Sequence, residues 1–205
     1  MVITLSREYG TGALAVAQLV AAGLDYAIID QELPTVVAAR LGTSREVVAA
    51  RESQKPFVER VLRGLGAGTP DLHHPAAGSP RSFDETLRRE IEAAVREYAA
   101  RDNVIIVGRA ANKILGRAAG NLRLFFHAPR EWRRQRIIEW HRVTVKEAEA
   151  EIDRMDAARS AYADEYAFTF GDAREYDLTL EVSRFGIEGA AGLIIAAAKT
   201  AEHTE

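Results

Sequence analysis

The sequence predicts an α/β fold in which a mostly parallel sheet is covered by helices on both faces. Three observations carry this expectation. Short apolar runs rich in β-branched or aromatic residues recur at Val2 to Leu5, Tyr26 to Ile29, Val104 to Val107, Leu122 to Phe126 and Leu178 to Val182, and runs of this length read as buried strands. The stretches between them are longer and carry helical spacing, the alternation from which crossover connections build parallel sheets. The chain has 205 residues, 47% hydrophobic and 28% charged, enough for one domain with a sizeable core.

Each element has its own chemical signal. The first strand runs into "LSREYGTGALAV", residues 5–16, where glycines precede an apolar helical pattern. The second strand ends at Asp30. The crossover from Gln31 to Asn103 is far longer than one helix requires, so it forms a helical insertion over one edge of the sheet, under which a substrate can bind. Within it, Gly64 to Arg81 ("GLGAGTPDLHHPAAGSPR") has no apolar period and reads as a long mobile loop. Thr43 with Glu46, Ser82 with Glu85 and Thr144 with Glu147 match the capping box, in which hydroxyl and carboxylate satisfy free N–H groups at a helix start. The Ala-rich stretch from Gly186 to Ala201 reads as a packing helix.

Composition narrows the function. A formal charge of -3 argues against a general nucleic-acid binder. With no cysteine there is no disulfide, thiolate metal site or thiol nucleophile, which fits a reducing compartment. No basic leader precedes "VITL", and no run reaches the roughly 18 apolar residues of a membrane span. A cytoplasmic protein without a membrane partner is expected. His73 and His74 fall in the mobile loop without carboxylates, and His127, His141 and His203 are scattered; no metal site is assigned to the protein. Trp132 and Trp140 are expected to pack a helix.

The glycine loop leaves three readings open. In parallel sheets ligands gather at the carboxyl ends of strands, where a helix N-terminus offers free N–H groups and partial positive charge to an anion. Gly10 and Gly12 let the backbone wrap close to phosphate oxygens, and Thr11 adds a hydroxyl. "GTGALA" also satisfies G-x-G-x-x-A, with Asp30 about 20 residues on, as in dinucleotide-binding proteins. Against that reading, "SREY" separates Leu5 from Gly10, a longer loop than a dinucleotide turn uses. A plain strand-to-helix turn is the third. The strict G-x-x-x-x-G-K-[ST] pattern is absent, because Ala13 and Leu14 follow Gly12.

"ITLSREYGTGA", "YAIIDQEL", "NVIIVGRAANKIL", "LRLFFHAPREWRRQR", "DAARSAY" and "YDLTLEVSRFGIE" occur in the order found in the cytidylate-kinase-like family of P-loop proteins, which the chain resembles over nearly its whole length. The resemblance implies a nucleoside-monophosphate-kinase-like fold of three layers, with a five-stranded parallel sheet flanked by helices. It implies one domain over 1–205, with a monophosphate-binding insertion at about 31–102 and a lid at about 129–162. That family's loop also lacks the lysine. Here the arginine that commonly follows the paired glycines is Leu14, and the second of those glycines is Ala13. Losing one preorganised donor aimed at a transferring phosphate costs about 3 to 4 kcal/mol in comparable sites, roughly a hundred- to thousandfold in rate.

Phosphoryl transfer needs in-line positioning and positive charge around the moving group, and arginine supplies both. Arg7, Gly10, Thr11 and Gly12 are assigned to the ATP phosphates, with Arg7 replacing part of the missing lysine charge. The resemblance places Arg134 and Arg136 nearest the lid arginines. It also matches "DRMDAARSAY" to the segment that closes the lid, with Arg159 contacting the transferring phosphate. Arg130, Arg133, Asp153 and Asp156 support the lid. The arginine often found before Asp153 is Ile152 here. Arg109 follows Gly108 at a strand end, where an edge-on guanidinium grips the acceptor phosphate with two bonds. The aspartate expected after it is Ala110. Asp30 orients the acceptor or holds Mg²⁺ through water.

The expected activity is therefore ATP-dependent transfer to a nucleoside monophosphate, CMP or dCMP, with Mg²⁺ entering with ATP; an oligomer is compatible. Two alternatives stand beside it. One is a nucleotide-binding regulatory protein of the same fold, its transfer activity lost with Ala13, Leu14 and Ile152. The other is an NAD-binding protein.

Overall fold

The computed structural model describes residues 1–30, 32–49, 80–118 and 120–202. In chain order the elements are β1 (Val2–Arg7), α1 (Ala13–Leu24), β2 (Ala27–Ile29), α2 (Glu32–Leu41), α3 (Pro80–Ala99), β3 (Val104–Val107), α4 (Ala111–Leu115), β4 (Asn121–His127), α5 (Arg130–His141), α6 (Val145–Glu165), β5 (Leu178–Glu181) and α7 (Val182–Glu202). A single 3₁₀ turn, Ala173–Glu175, precedes β5. Two compact units result: Met1–Asp30 with Val95–Glu205, and Gln31–Ala94.

The first unit holds one parallel sheet of five strands in the order β2-β3-β1-β4-β5. All five strands form where the apolar runs lie, to within two residues at either end. β1 is central, pairing Leu5 with Val107 of β3 and with Leu124 of β4. Because β3 lies between β1 and β2, the chain leaving β1 and the chain leaving β3 cross the sheet in opposite directions. The carboxyl ends of β1 and β3 thus border the switch point where ligands bind in such sheets. This order also removes the dinucleotide reading, whose fold puts β2 beside β1.

α1 buries Ala13, Val16, Ala17, Val20 and Ala21, the three-and-four spacing of one helix face. That face meets Ile3, Leu5, Val107, Phe126 and, from α7, Ala190, Ala191 and Ile194 in one core cluster. Each fully buried large aliphatic side chain contributes about 1.5–3 kcal/mol. α1 ends where Asp25 turns left-handed (φ 58°) and its N–H returns to the Ala21 carbonyl. At the opposite end of the sheet, Arg123 on β4 grips Asp177 ahead of β5, Nε to Oδ2 at 3.0 Å and Nη2 to Oδ1 at 2.6 Å. Asp177 Oδ2 also accepts from the Arg123 amide at 2.9 Å. The bond to Asp177 raises the Arg123 pKa.

The helix starts depart from the sequence reading at two of three places. Thr144 forms the complete capping box with Glu147. At the first expected box the cap is Ser44, not Thr43: its Oγ accepts from the Val47 amide at 3.4 Å. α3 begins at Pro80, so Ser82 lies inside the helix; proline at the first helical position loses no hydrogen bond that the helix would have made. The expected mobile loop lies outside the described residues except at Pro80 and Arg81, which are helical. The Ala-rich end is helical, but Gly186 breaks α7 with φ 71° and ψ 177°, a conformation reserved for glycine.

In the second unit, α2 buries Leu33, Val37 and Ala38. In α3, Leu87, Ile91 and Ala94 are buried at four- and three-residue spacing. Arg40 and Glu90 pair at 3.7 Å. No described helix is long and apolar enough to cross a membrane.

Candidate phosphate-binding site at the carboxyl ends of β1 and β3

The loop from Glu8 to Gly12 is shaped by glycine. Gly10 (φ 84°) and Gly12 (φ 76°) are left-handed, and a Cβ on Gly10 would meet Ile137 Cδ1 at 2.9 Å and Arg133 Cβ at 3.1 Å. Gly12 is the N-cap of α1 and supplies no side-chain acceptor; the first helical bond runs from the Val16 amide to the Gly12 carbonyl at 3.2 Å. Among the described residues, the amides of Thr11 through Ala15 therefore have no acceptor. Unmet N–H groups at the positive end of a helix dipole form an anion seat. Thr11 is buried and donates its hydroxyl proton to the Glu8 carbonyl at 2.9 Å, so it braces the loop from within.

Two elements far along the chain hold this loop. Asp156 on α6 accepts from the Tyr9 amide at 2.8 Å and from Arg133 Nη1 at 2.6 Å. Arg133, on α5 and buried, also donates to the Tyr9 carbonyl at 3.0 Å and from Nε to the Ala128 carbonyl at 3.1 Å. Its Nε lies 3.3 Å from Glu8 Oε2, and that carboxylate accepts from the Ala128 amide. Arg133 and Asp156 thus hold the phosphate loop itself, whereas the sequence reading gave them only the lid to support. Glu8 escaped that reading, since the partners of its carboxylate lie 120 or more positions away.

Beside the loop stands a cluster of cations. Arg7 ends β1, and a Cβ on Gly108 would lie 2.6 Å from Arg7 Nη1, so only glycine after β3 lets that guanidinium pass. Burial, the charge on Arg159 and that on Arg109 push the Arg7 pKa down to about 9, against an upward pull from Asp30. Arg7 remains a cation at neutral pH. Arg159 on α6 donates to the Arg7 carbonyl at 3.0 Å, covers the Tyr9 ring at 5.5 Å and lies 3.9 Å from Asp156. Its pKa is also lowered, first by burial. Arg109 follows Gly108 in a run of three left-handed residues, Gly108 (φ 78°), Arg109 (57°) and Ala110 (52°). Successive non-glycine residues in that region are strained and cluster at functional sites.

The structure thus brings Arg7, Arg109, Arg159 and Asp30 together, with Arg159 against the loop at Tyr9. The arginines of α5 divide. Arg130 is paired with Glu149 and, at 2.7 Å, with Asp153, and those bonds, Asp153 first, raise its pKa. Asp153 is correspondingly lowered by Arg130. Arg134 is paired with Glu149 at 3.1 Å and with Glu131, so its charge is taken up on the helix surface. Arg136, like Arg133, turns to the loop: the Cβ position of Gly12 is 3.4 Å from its Nη2. A separate cleft, lined by Met1, Asp102, Arg117, Asn121 and Glu202, lies at the amino ends of the strands and has no part in this arrangement.

Among the described residues no three His, Cys, Asp or Glu side chains gather as a metal cage. The available donor set suits a cation that arrives on phosphate oxygens, with Asp30 close enough to act on both Arg7 and Arg159 and Asp156 already bound to the Tyr9 amide and Arg133.

A model of the cytidylate kinase-like family matches residues 2–184. The cytidylate kinase of Halobacterium salinarum is 29% identical over 137 residues, 66% of this chain and 70% of that protein. Among solved structures, an uncharacterized protein from Eubacterium ventriosum superposes with a TM-score of 0.70 at 20% identity, covering 97% of this chain and 98% of the other. Shikimate kinase from Bacteroides thetaiotaomicron superposes with a TM-score of 0.53 at 14% identity, covering 97% and 98%. At these identities the two superpositions speak to fold alone.

Proposed function

We propose that this chain, which belongs to the cytidylate kinase-like family and has the P-loop kinase fold, transfers the γ-phosphoryl group of ATP to a nucleoside monophosphate, CMP or dCMP. The observation that carries the reading is the cation cluster at the switch point. Arg7 is pushed down to about 9 by burial and by two neighbouring guanidiniums, the electrostatic state of a site built for a polyanion. The amides of Thr11 to Ala15 receive the donor phosphates. Arg7 and Arg159 lie where charge develops on the moving group, and Arg109 reaches from β3 for the acceptor phosphate. These groups are fixed before substrate arrives, which is how electrostatic preorganisation lowers a phosphoryl-transfer barrier.

Mg²⁺ would enter with ATP, and Asp30 is the carboxylate placed to hold it through water. There it would neutralise charge on the phosphate oxygens. In this reading 1–205 is one kinase domain, with residues about 31–102 as the monophosphate-binding insertion and about 129–162 as the lid. The family and the fold support a nucleotide kinase; CMP as acceptor is the finer step. It is tested by an ADP-coupled assay of the purified chain with Mg-ATP and each common monophosphate. Turnover fastest with CMP or dCMP is expected, and no turnover above background with any acceptor would overturn the reading.

One observation favours the second reading, a nucleotide binder without transfer. Leu14, in the first turn of α1, is exposed and offers no charge where the family commonly carries arginine. Calorimetry separates the two: nucleotide binding with no turnover selects the binder.

A further inference from the structure

The chain has two tryptophans, and both face the same arginine. Trp132, Arg136 and Trp140 lie four residues apart on α5, which puts them on one helix face. The Arg136 guanidinium sits 4.6 Å from the Trp132 ring centroid and 4.5 Å from that of Trp140. Its Nη2 comes within 3.4 Å of the Cβ position of Gly12, and the Trp140 ring within 3.6 Å of the same point. Arg136 Nε is buried and has no hydrogen-bond partner among the described residues.

Neighbouring arginines on α5 show why this matters. Arg130, Arg133 and Arg134 are each bound by two carboxylates. Among the described residues no carboxylate pairs with Arg136, and two indole faces flank it. Aromatic faces attract a cation through their quadrupole but accept none of its in-plane N–H groups. A guanidinium held this way keeps its charge and its edge donors.

We infer that Trp132 and Trp140 are positioning residues that hold Arg136 edge-on to the phosphate loop, as the substitute for the cation the loop lacks at Ala13 and Leu14. The ligand class is a linear polyphosphate, the triphosphate of a nucleotide. The inference rests on the reading of the loop as a donor-phosphate site, but it does not need transfer to occur.

Both tryptophans flank Arg136, so intrinsic tryptophan fluorescence reports on the clamp, with Trp132 also packed against the core. Inorganic tripolyphosphate, which has no base to stack, is titrated into the full chain without acceptor. A saturable change in emission is expected. Arg136→Leu should abolish that change and weaken binding, measured by calorimetry, about ten- to hundredfold, the range for a charge-assisted bond. Where Arg136→Leu fails to fold, as judged by circular dichroism, Arg136→Lys serves; it keeps the charge but not the plate that two indoles grip, and a severalfold loss is expected.

Trp140→Leu should weaken tripolyphosphate about three- to fivefold, and Trp140→Phe, which keeps an aromatic face, should restore affinity to within about twofold. In an Arg136→Leu background Trp140→Leu should add nothing, because the indole acts through the guanidinium. No tripolyphosphate binding by the wild-type chain, unchanged affinity in Arg136→Leu, or an equal Trp140→Leu effect in both backgrounds would each overturn the inference. A chain that binds tripolyphosphate through Arg136 yet turns over no monophosphate would sink the kinase reading and leave the clamp standing.

Discussion

Arg7 and Gly108 act as one unit. The guanidinium lies over a position where a Cβ would stand 2.6 Å from Nη1. In Gly108→Ala the flexible end of Arg7 moves rather than the backbone, while a left-handed alanine costs about 1 kcal/mol. The expected result is a modest fall in melting temperature beside a loss of about tenfold or more in tripolyphosphate affinity, read by calorimetry; unchanged affinity would dissociate Gly108 from the site. Arg7 carries a pH signature as well. Its pKa is pushed down to about 9 in the folded chain, well below that of a free guanidinium, so above about 9 the unfolded chain binds more protons and stability rises with pH. Below about 9 the penalty is present in full. Arg7→Met removes it: the variant should be more stable than wild type at pH 7, with the gap narrowing in denaturant melts taken from pH 9 to 10.5. Arg7, Arg109 and Arg159 were legible because strand ends and a family motif mark their positions. Glu8 was not, since no local spacing points to a partner at Ala128. The indole pair was written in plain four-residue spacing, and Trp132 does pack against the core as expected, but no rule of periodicity shows that a ring covers a cation as well.

Among elements, α5 and α6 do more than roof the site. Arg133 is buried between Asp156, Glu8 and two carbonyls, so truncating it strands buried charge. Arg133→Met should destabilise the fold by about 3–5 kcal/mol in urea unfolding, and a cycle with Asp156→Asn should show coupling of about 1 kcal/mol or more. Additive effects would mean the two residues do not share a network. Thr144→Ala, on the surface at the start of α6, removes one capping bond and should cost about 1 kcal/mol without altering ligand affinity. The strands were legible because buried parallel strands are short β-branched runs. Caps were less so: Thr43 and Ser44 are chemically equivalent candidates, and Pro80 outcompetes Ser82 because proline sets the helical φ in advance.

Across the whole molecule, the sheet order follows from parallel strands whose first crossover skips a place, a fact no run of residues displays. The dinucleotide alternative survived on a glycine pattern and an aspartate, and it falls only once β3 is seen between β1 and β2. A site built from repelling cations also sets a global expectation. A ligand that binds only the folded chain stabilises it by RT ln(1 + [L]/Kd), about 2.7 kcal/mol at a hundredfold excess over Kd. Tripolyphosphate should therefore raise the melting temperature of the wild-type chain, and of Arg7→Met far less; equal shifts would place the anion elsewhere.

The bond from the Tyr9 amide to Asp156 spans 147 positions. A ribosome emits the glycine turn long before it makes the carboxylate that holds it. Affinity for nucleotide is thus conferred only after that later segment is made, and an excised peptide bearing the glycine motif without it should be inert.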